Sequence, residues 1–255
     1  MSDFNRNVTA RGGFADRTAA VDAGLRTYML RVYNYMGAAV ALTGVVAWLC
    51  FQNAVVTNEA GAITGLTSFG QMLLGGYTPI VLMLATLGLV FFISFRIHTL
   101  QYTTALALFM FYAALLGAAL TSVLVAYTGA SVARVFFISA ASFGALSLYG
   151  YTTQRDLSAM GSFLIMGLFG IIIASVVNMF VASSMLQFIV SVVGVLIFAG
   201  LTAWDTQRLK NDYMYGYASQ GGDVAERAAI TGALSLYLNF INLFTLLLQL
   251  LGQKE

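Results

Sequence analysis

Charge is scarce in this chain. Only 9% of its 255 residues are Asp, Glu, Lys or Arg, while 60% are hydrophobic. A soluble domain carries about a quarter charged residues and under half apolar ones. So few charges cannot cover the outside of a soluble fold, which excludes a soluble globular enzyme and a disordered chain alike. Twelve basic residues against ten acidic ones leave a net charge of +2, too little for a basic face that binds nucleic acid. The single cysteine, Cys50, excludes a disulfide framework and a cysteine-based metal cluster, and it reads as apolar filler. The single histidine, His98, stands at the edge of an apolar run and leaves no base to activate a serine. No phosphate loop, zincin or dinucleotide fingerprint is present. No enzyme activity, cofactor or metal is expected.

What is present is long apolar sequence. A helix needs about 20 apolar residues to cross a hydrocarbon core roughly 30 Å thick. Seven runs meet that length: Tyr28–Phe51, Tyr77–Phe95, Thr103–Tyr127, Val132–Tyr151, Met160–Phe180, Leu186–Trp204 and Ala229–Leu251. They are continuous rather than short and alternating, which excludes a β-barrel. Gly75, Gly76 and Pro79 punctuate the start of the second run, Thr128-Gly129 the gap after the third, and Gln154-Arg155-Asp156 the gap after the fourth. The expected fold class is therefore an all-α integral membrane protein, a seven-transmembrane-helix bundle. Residues 1–27 are expected to form a flexible cytoplasmic tail, too long for a signal peptide, and residues 28–252 the transmembrane domain.

Arginine and lysine are unevenly placed. Arg6, Arg11, Arg17, Arg26 and Arg31 precede or open span one, Arg96 closes span two, and Arg155 lies between four and five. Arg208, Lys210 and Arg227 lie between six and seven, whereas the opposite side has only Arg134 and Lys254. The positive-inside rule then puts the N-terminus in the cytoplasm and, after seven spans, the C-terminus outside.

Small residues recur at helical spacing, namely Gly37, Ala41 and Gly44, then Ala114, Gly117 and Thr121, then Gly167, Gly170 and Ala174. Such stripes let helix backbones approach closely. Span seven carries a polar stripe instead: Thr231, Ser235, Asn239, Asn242 and Gln249 share one helix face. Amides facing lipid would lack partners, so this face should turn inward and the last helix should be central. The stripe either bonds the bundle together or lines an ion or water path. In span six Ser191, Thr202 and Asp205 also share a face. Asp205 can snorkel, pair with Arg208 at i+3, or pair with Arg96 across the bundle. The acids Asp212, Asp223 and Glu226 fit no calcium-binding loop and read as a solvated loop. Because Asp223 falls outside the spans, two facing carboxylates for an intramembrane protease are not supplied.

Trp204-Asp205-Thr206-Gln207 at the end of span six, and the run from Gly232 through Ser235 and Asn239 to Phe244, resemble the Bax inhibitor-1 family. Tyr151-Thr-Thr-Gln-Arg-Asp-Leu-Ser158 is similar to its bacterial YccA-like branch. The resemblance covers nearly the whole chain and implies a bundle with the last helix central, in a bacterial inner membrane. It implies a pH-sensitive calcium leak, with calcium as permeant ion and the lipid bilayer as surroundings. Alternatively, it implies a non-conducting partner that modulates a membrane-bound ATP-dependent protease. The family's closure site is similar to an aspartate pair with an arginine from span two nearby. Asp205 matches the first aspartate and Arg96 the arginine, but the second aspartate's position holds Asn239. Two close carboxylates share a proton and titrate as a pair. An amide can hydrogen-bond to a carboxylate but cannot share its proton in that way, so the resemblance implies a gate without its pH-sensing dyad.

Overall fold

The structure, a computed structural model, describes residues 2–58, 63–97, 99–217 and 222–254, with side chains for 21–58, 63–97, 99–216 and 224–254. His98 and Glu59, and the side chains of Arg6, Arg11, Arg17 and Asp223, lie outside the described residues. Eight α-helices follow in order: α1 (Ser2–Ala54), α2 (Ser68–Leu74), α3 (Thr78–Arg96), α4 (Tyr102–Ala126), α5 (Gly129–Thr152), α6 (Ser158–Val181), α7 (Ser184–Asp212) and α8 (Gly222–Leu251). All but α2 are long and apolar enough to cross a membrane. The seven expected runs correspond one to one with these seven helices. The molecule is an all-α membrane bundle.

Boundaries follow local chemistry. Pro79 sits in the first turn of α3, where its missing N–H costs nothing, and Gly76 just before it takes φ +58°, a conformation that suits glycine. Thr67 caps α2 by accepting the Gly70 N–H at 3.0 Å. A short antiparallel hairpin, β1 (Val55–Thr57) and β2 (Ile63–Leu66), pairs Val55 with Leu66 and Val56 with Gly65 between α1 and α2. At the first span the helix does not begin at Tyr28. It continues back through Leu25, because Leu25, Tyr28 and Met29 all bury against the bundle.

The last helix is the hub. Half of α8's apolar stretch is buried, against 6% for α6 and 11% for α3, and α8 packs on α1, α4, α5 and α7. Tyr237 of α8 is fully buried between the edges of Phe109 and Tyr112 of α4. Its hydroxyl lies 2.7 Å from Thr43 Oγ1 of α1, which also donates to the Ala113 carbonyl of α4 at 2.9 Å. One polar contact thus joins three helices and satisfies both the Tyr237 and the Thr43 hydroxyl in an apolar core. At the far end of α8, the Thr128 N–H donates to the Gln253 carbonyl at 3.0 Å, and the Gln253 N–H donates to Ser131 Oγ at 2.9 Å. The chain after α8 is thereby held against the α4–α5 turn.

The small-residue stripes divide. Gly117 of α4 is packed so closely on α1 that a Cβ there would come within 2.6 Å of the Thr43 carbonyl. Gly37, Gly44 and Gly170 face open space instead, so the expectation that all three stripes pack helices is corrected. Periodicity marks a face, and helix rotation decides whether a neighbour lies on it. Gly150 of α5 depends on the missing side chain more closely than Gly117, since a Cβ would lie 2.1 Å from the Ala203 carbonyl of α7. Gly150→Ala should therefore cost about 1–3 kcal/mol through overpacking. Gly144→Ala, two turns earlier on the same helix and facing open space, should be neutral or slightly stabilising because alanine favours helix. Thermal unfolding of the two purified variants in detergent checks this; equal melting temperatures would contradict the packing.

Candidate functional site

The polar face of α7 lies at its last three turns, where Thr202, Asp205, Thr206 and Gln207 are all buried. Helical spacing separates their roles. Asp205 faces α8, whereas Thr206 and Gln207 face α5 and the α5–α6 turn. Thr206 Oγ1 lies 2.9 Å from Ser147 Oγ, which lies 3.0 Å from the Tyr33 hydroxyl of α1. Gln207 accepts the Leu157 N–H through Oε1 at 2.8 Å and donates through Nε2 to the Arg155 carbonyl at 2.7 Å. Lys210 Nζ donates to the Tyr151 carbonyl at 2.9 Å. These three residues fix the end of α7 against the turn, so that Asp205 projects from a rigid platform.

Asp205 is 4% exposed. Its Oδ2 accepts from Asn239 Nδ2 at 2.6 Å and from Ser235 Oγ at 2.9 Å, both on α8. Arg208 Nη2 stands 2.7 Å from Oδ1. Its N–H bonds are not aimed along that oxygen, and Oδ1 has no aligned hydrogen bond; the same nitrogen donates at 3.4 Å to Ser235 Oγ. A buried carboxylate needs such donors or a counter-charge to be tolerated, and here it has both. The Arg208 guanidinium lies over the Trp204 ring at 4.6 Å, a favourable cation–aromatic contact. The Trp204 ring in turn fills the space left by Gly161 of α6, where a Cβ would come within 2.2 Å of it.

Around this cluster α6, α7 and α8 line a cavity of about 710 Å³ that opens onto the outside of the bundle past Ile172, Val176 and Met179, and Leu87 of α3 borders it. Its walls are apolar, with Phe198 and Trp204 among aliphatic residues, except for Ser175 and the group Asp205, Arg208, Ser235, Asn239 and Asn242. A mostly apolar cavity with a few convergent polar groups is the usual form of a binding or conduction site.

Of the residues expected at the site, Asp205, Asn239 and Ser235 meet. Asn242 lines the same cavity, but its amide donates to the Leu238 carbonyl one turn back. Gln249 lies away from the site, accepting from Ser191 of α7 at 2.8 Å. The stripe therefore bonds α7 to α8 at two levels and lines a cavity in between. Arg96 is not a partner of Asp205. It is exposed at the end of α3, a helix that packs chiefly on α2 and α4, and Arg208 occupies the place beside the carboxylate. The i+3 neighbour wins because it needs no movement of a second helix. Gln207, quoted in the sequence only as the last residue of the Trp204-Asp205-Thr206-Gln207 motif, and Lys210, read there only as a charge that sets orientation, were given no structural role in advance.

The acids expected in one solvated loop are distributed otherwise. Asp212 ends α7, and Glu226 lies in the first turns of α8, where its Oε1 accepts from Arg31 Nη1 of α1 at 2.8 Å. Among the described residues no group of three or more His, Cys, Asp or Glu side chains could hold a metal ion. Outside the spans, the Ser158 hydroxyl and N–H hold the Asp156 carboxyl below the usual carboxylate range, the N–H at 2.9 Å. Asp156 thereby supplies an acceptor at the start of α6, where free N–H groups favour an anion.

Comparison with known proteins agrees with this architecture. A family model described as "Inhibitor of apoptosis-promoting Bax1" matches residues 25–255. An uncharacterized protein of Rickettsia prowazekii is 44% identical over 260 residues, covering 100% of both chains. One of Caulobacter vibrioides is 45% identical over 260 residues, covering 99% of this chain and 98% of its own. The inner membrane protein YbhL of Escherichia coli is 43% identical over 235 residues, covering 91% of this chain and 94% of its own.

Proposed function

The chain belongs to the Bax inhibitor-1 family, and from that membership we propose that it is a non-enzymatic, calcium-permeable cation leak of a bacterial inner membrane. The observation that carries this reading is the buried Asp205 carboxylate, held by the central helix at the edge of an open cavity between helices of the bundle. An ionisable side chain within a membrane bundle is costly and marks an ion path or relay. In a low-dielectric cavity a single carboxylate attracts cations strongly and repels anions. With Arg208 seated on it the attraction is cancelled, which supports reading this conformation as the non-conducting one.

Liposomes containing only this protein should admit calcium faster than protein-free liposomes, and Asp205→Asn should change that rate several-fold. No flux at any pH, together with co-purification of a membrane-bound ATP-dependent protease, would favour the non-conducting modulator instead.

Orientation belongs to the same reading. The clustering of Arg26, Arg31, Arg155, Arg208, Lys210 and Arg227 toward one end supports a cytoplasmic N-terminus and an external C-terminus. In a Cys50→Ser background, Thr57→Cys should react with an impermeant thiol reagent from outside and Arg155→Cys from inside. Both positions are exposed, and the reverse pattern would invert the topology.

A further inference from the structure

A second cavity, of about 520 Å³, lies at the end of the bundle where α7 stops and α8 begins. It is bordered by Tyr28 of α1, Ile97, Asp212, Arg227 and Thr231. Charged and hydroxyl groups make up a larger share of its lining than of the first cavity's, beside aliphatic groups such as Leu209 and Val224. The two cavities have one lining residue in common, and that residue is Arg208.

We propose that Arg208 is a movable barrier between these cavities, and that its swing from Asp205 toward Asp212 joins them into one polar path. The placement of the side chain supports such a role. Asp205 precedes Arg208 by three residues and Asp212 follows it by four, so both carboxylates lie on the same helix face, one turn to either side. The Asp205 side chain is 5% exposed and that of Arg208 37%, so the guanidinium bridges a dry site and a wetter one. Its long apolar stem permits that reach without a backbone shift.

In the seat beside Asp205 the guanidinium blocks passage in two ways. It fills the space between the cavities, and its charge neutralises the acid that would draw a cation inward. In the seat beside Asp212 it would leave Asp205, Ser235 and Asn239 open to the polar cavity. The Trp204 ring holds the closed position through its contact with the guanidinium. The leak reading bears only on what passes once the barrier moves. The barrier itself can be tested without conduction.

The test is the rate at which a cationic methanethiosulfonate modifies Asn242→Cys in a Cys50→Ser background. The reagent is added to proteoliposomes from the side that carries Arg155. Asn242 lines the first cavity beyond Arg208 and does not touch Asp205. Arg208→Ala should raise the rate at least tenfold. Asp212→Asn, an exposed substitution that keeps the fold, should lower it several-fold by removing the alternative seat. Opposite shifts support the barrier, even if calcium flux is absent; that combination would discard the leak and keep the gate. An unchanged rate in either variant overturns the proposal. If Arg208→Ala does not purify as a monodisperse protein, the Asp212→Asn rate alone decides.

Discussion

Arg208→Ala should destabilise the purified bundle by about 3 kcal/mol, the lower end of the usual cost of stripping one partner from a buried ion pair. The lower end applies because Asn239 and Ser235 still donate to the carboxylate left behind. Asp205→Ala should cost about 1–3 kcal/mol for a different reason. It frees a half-exposed guanidinium that can turn to water, but it leaves the Asn239 amide and the Ser235 hydroxyl without their acceptor. The double variant should fall short of the sum by about 0.5–3 kcal/mol, as residues in direct contact do. Arg96→Ala should stay within about 0.5 kcal/mol of the native protein, as exposed substitutions do. Denaturant titration in detergent measures all four. A loss at Arg96 equal to that at Arg208 would restore the cross-bundle pairing that the resemblance implies.

Asn239→Asp should add a pH dependence beyond that of the native protein. The Asn239 amide nitrogen and Asp205 Oδ2 are 2.6 Å apart. Replacing that nitrogen by oxygen puts two carboxylates at hydrogen-bond distance, where they must share one proton or repel. The pair's upper apparent pKa in the folded variant would then lie above that of an unfolded aspartate. The shared proton's stabilisation is full below the unfolded value and is lost as pH rises through the folded one. The variant's melting temperature should therefore fall with rising pH across the window between those two values. The size is about 1.4 kcal/mol for each unit by which the upper pKa is raised. Calcium flux should acquire a slope in the same window. Native protein measured in parallel supplies the reference, and identical pH profiles would mean that position 239 does not set proton sensitivity.

Several features of this molecule are local properties of the chain and could be read from it directly. The seven spans follow from the length of apolar runs matched against the thickness of a bilayer. The inward face of α8 follows from Ser235, Asn239 and Asn242 recurring at helical period, because amides cannot be left facing lipid. The breaks at Gly76, Pro79 and Gly129 follow from backbone chemistry that acts within one or two residues. What could not be read this way depends on the rotation and depth of one helix against another. Gly117 and Gly150 are backbone contacts while Gly37 and Gly44 face open space, although all four are glycines in long helices. Arg96 and Arg208 were both candidate partners for Asp205, with Arg96 placed at the site by the resemblance, and the choice fell to the arginine whose distance is set by one helical turn. Gln207 spans to the α5–α6 turn only because α5 and α7 touch backbone to backbone at Gly150. A period in sequence specifies which face of a helix is polar; the packing of all its neighbours together specifies what that face meets.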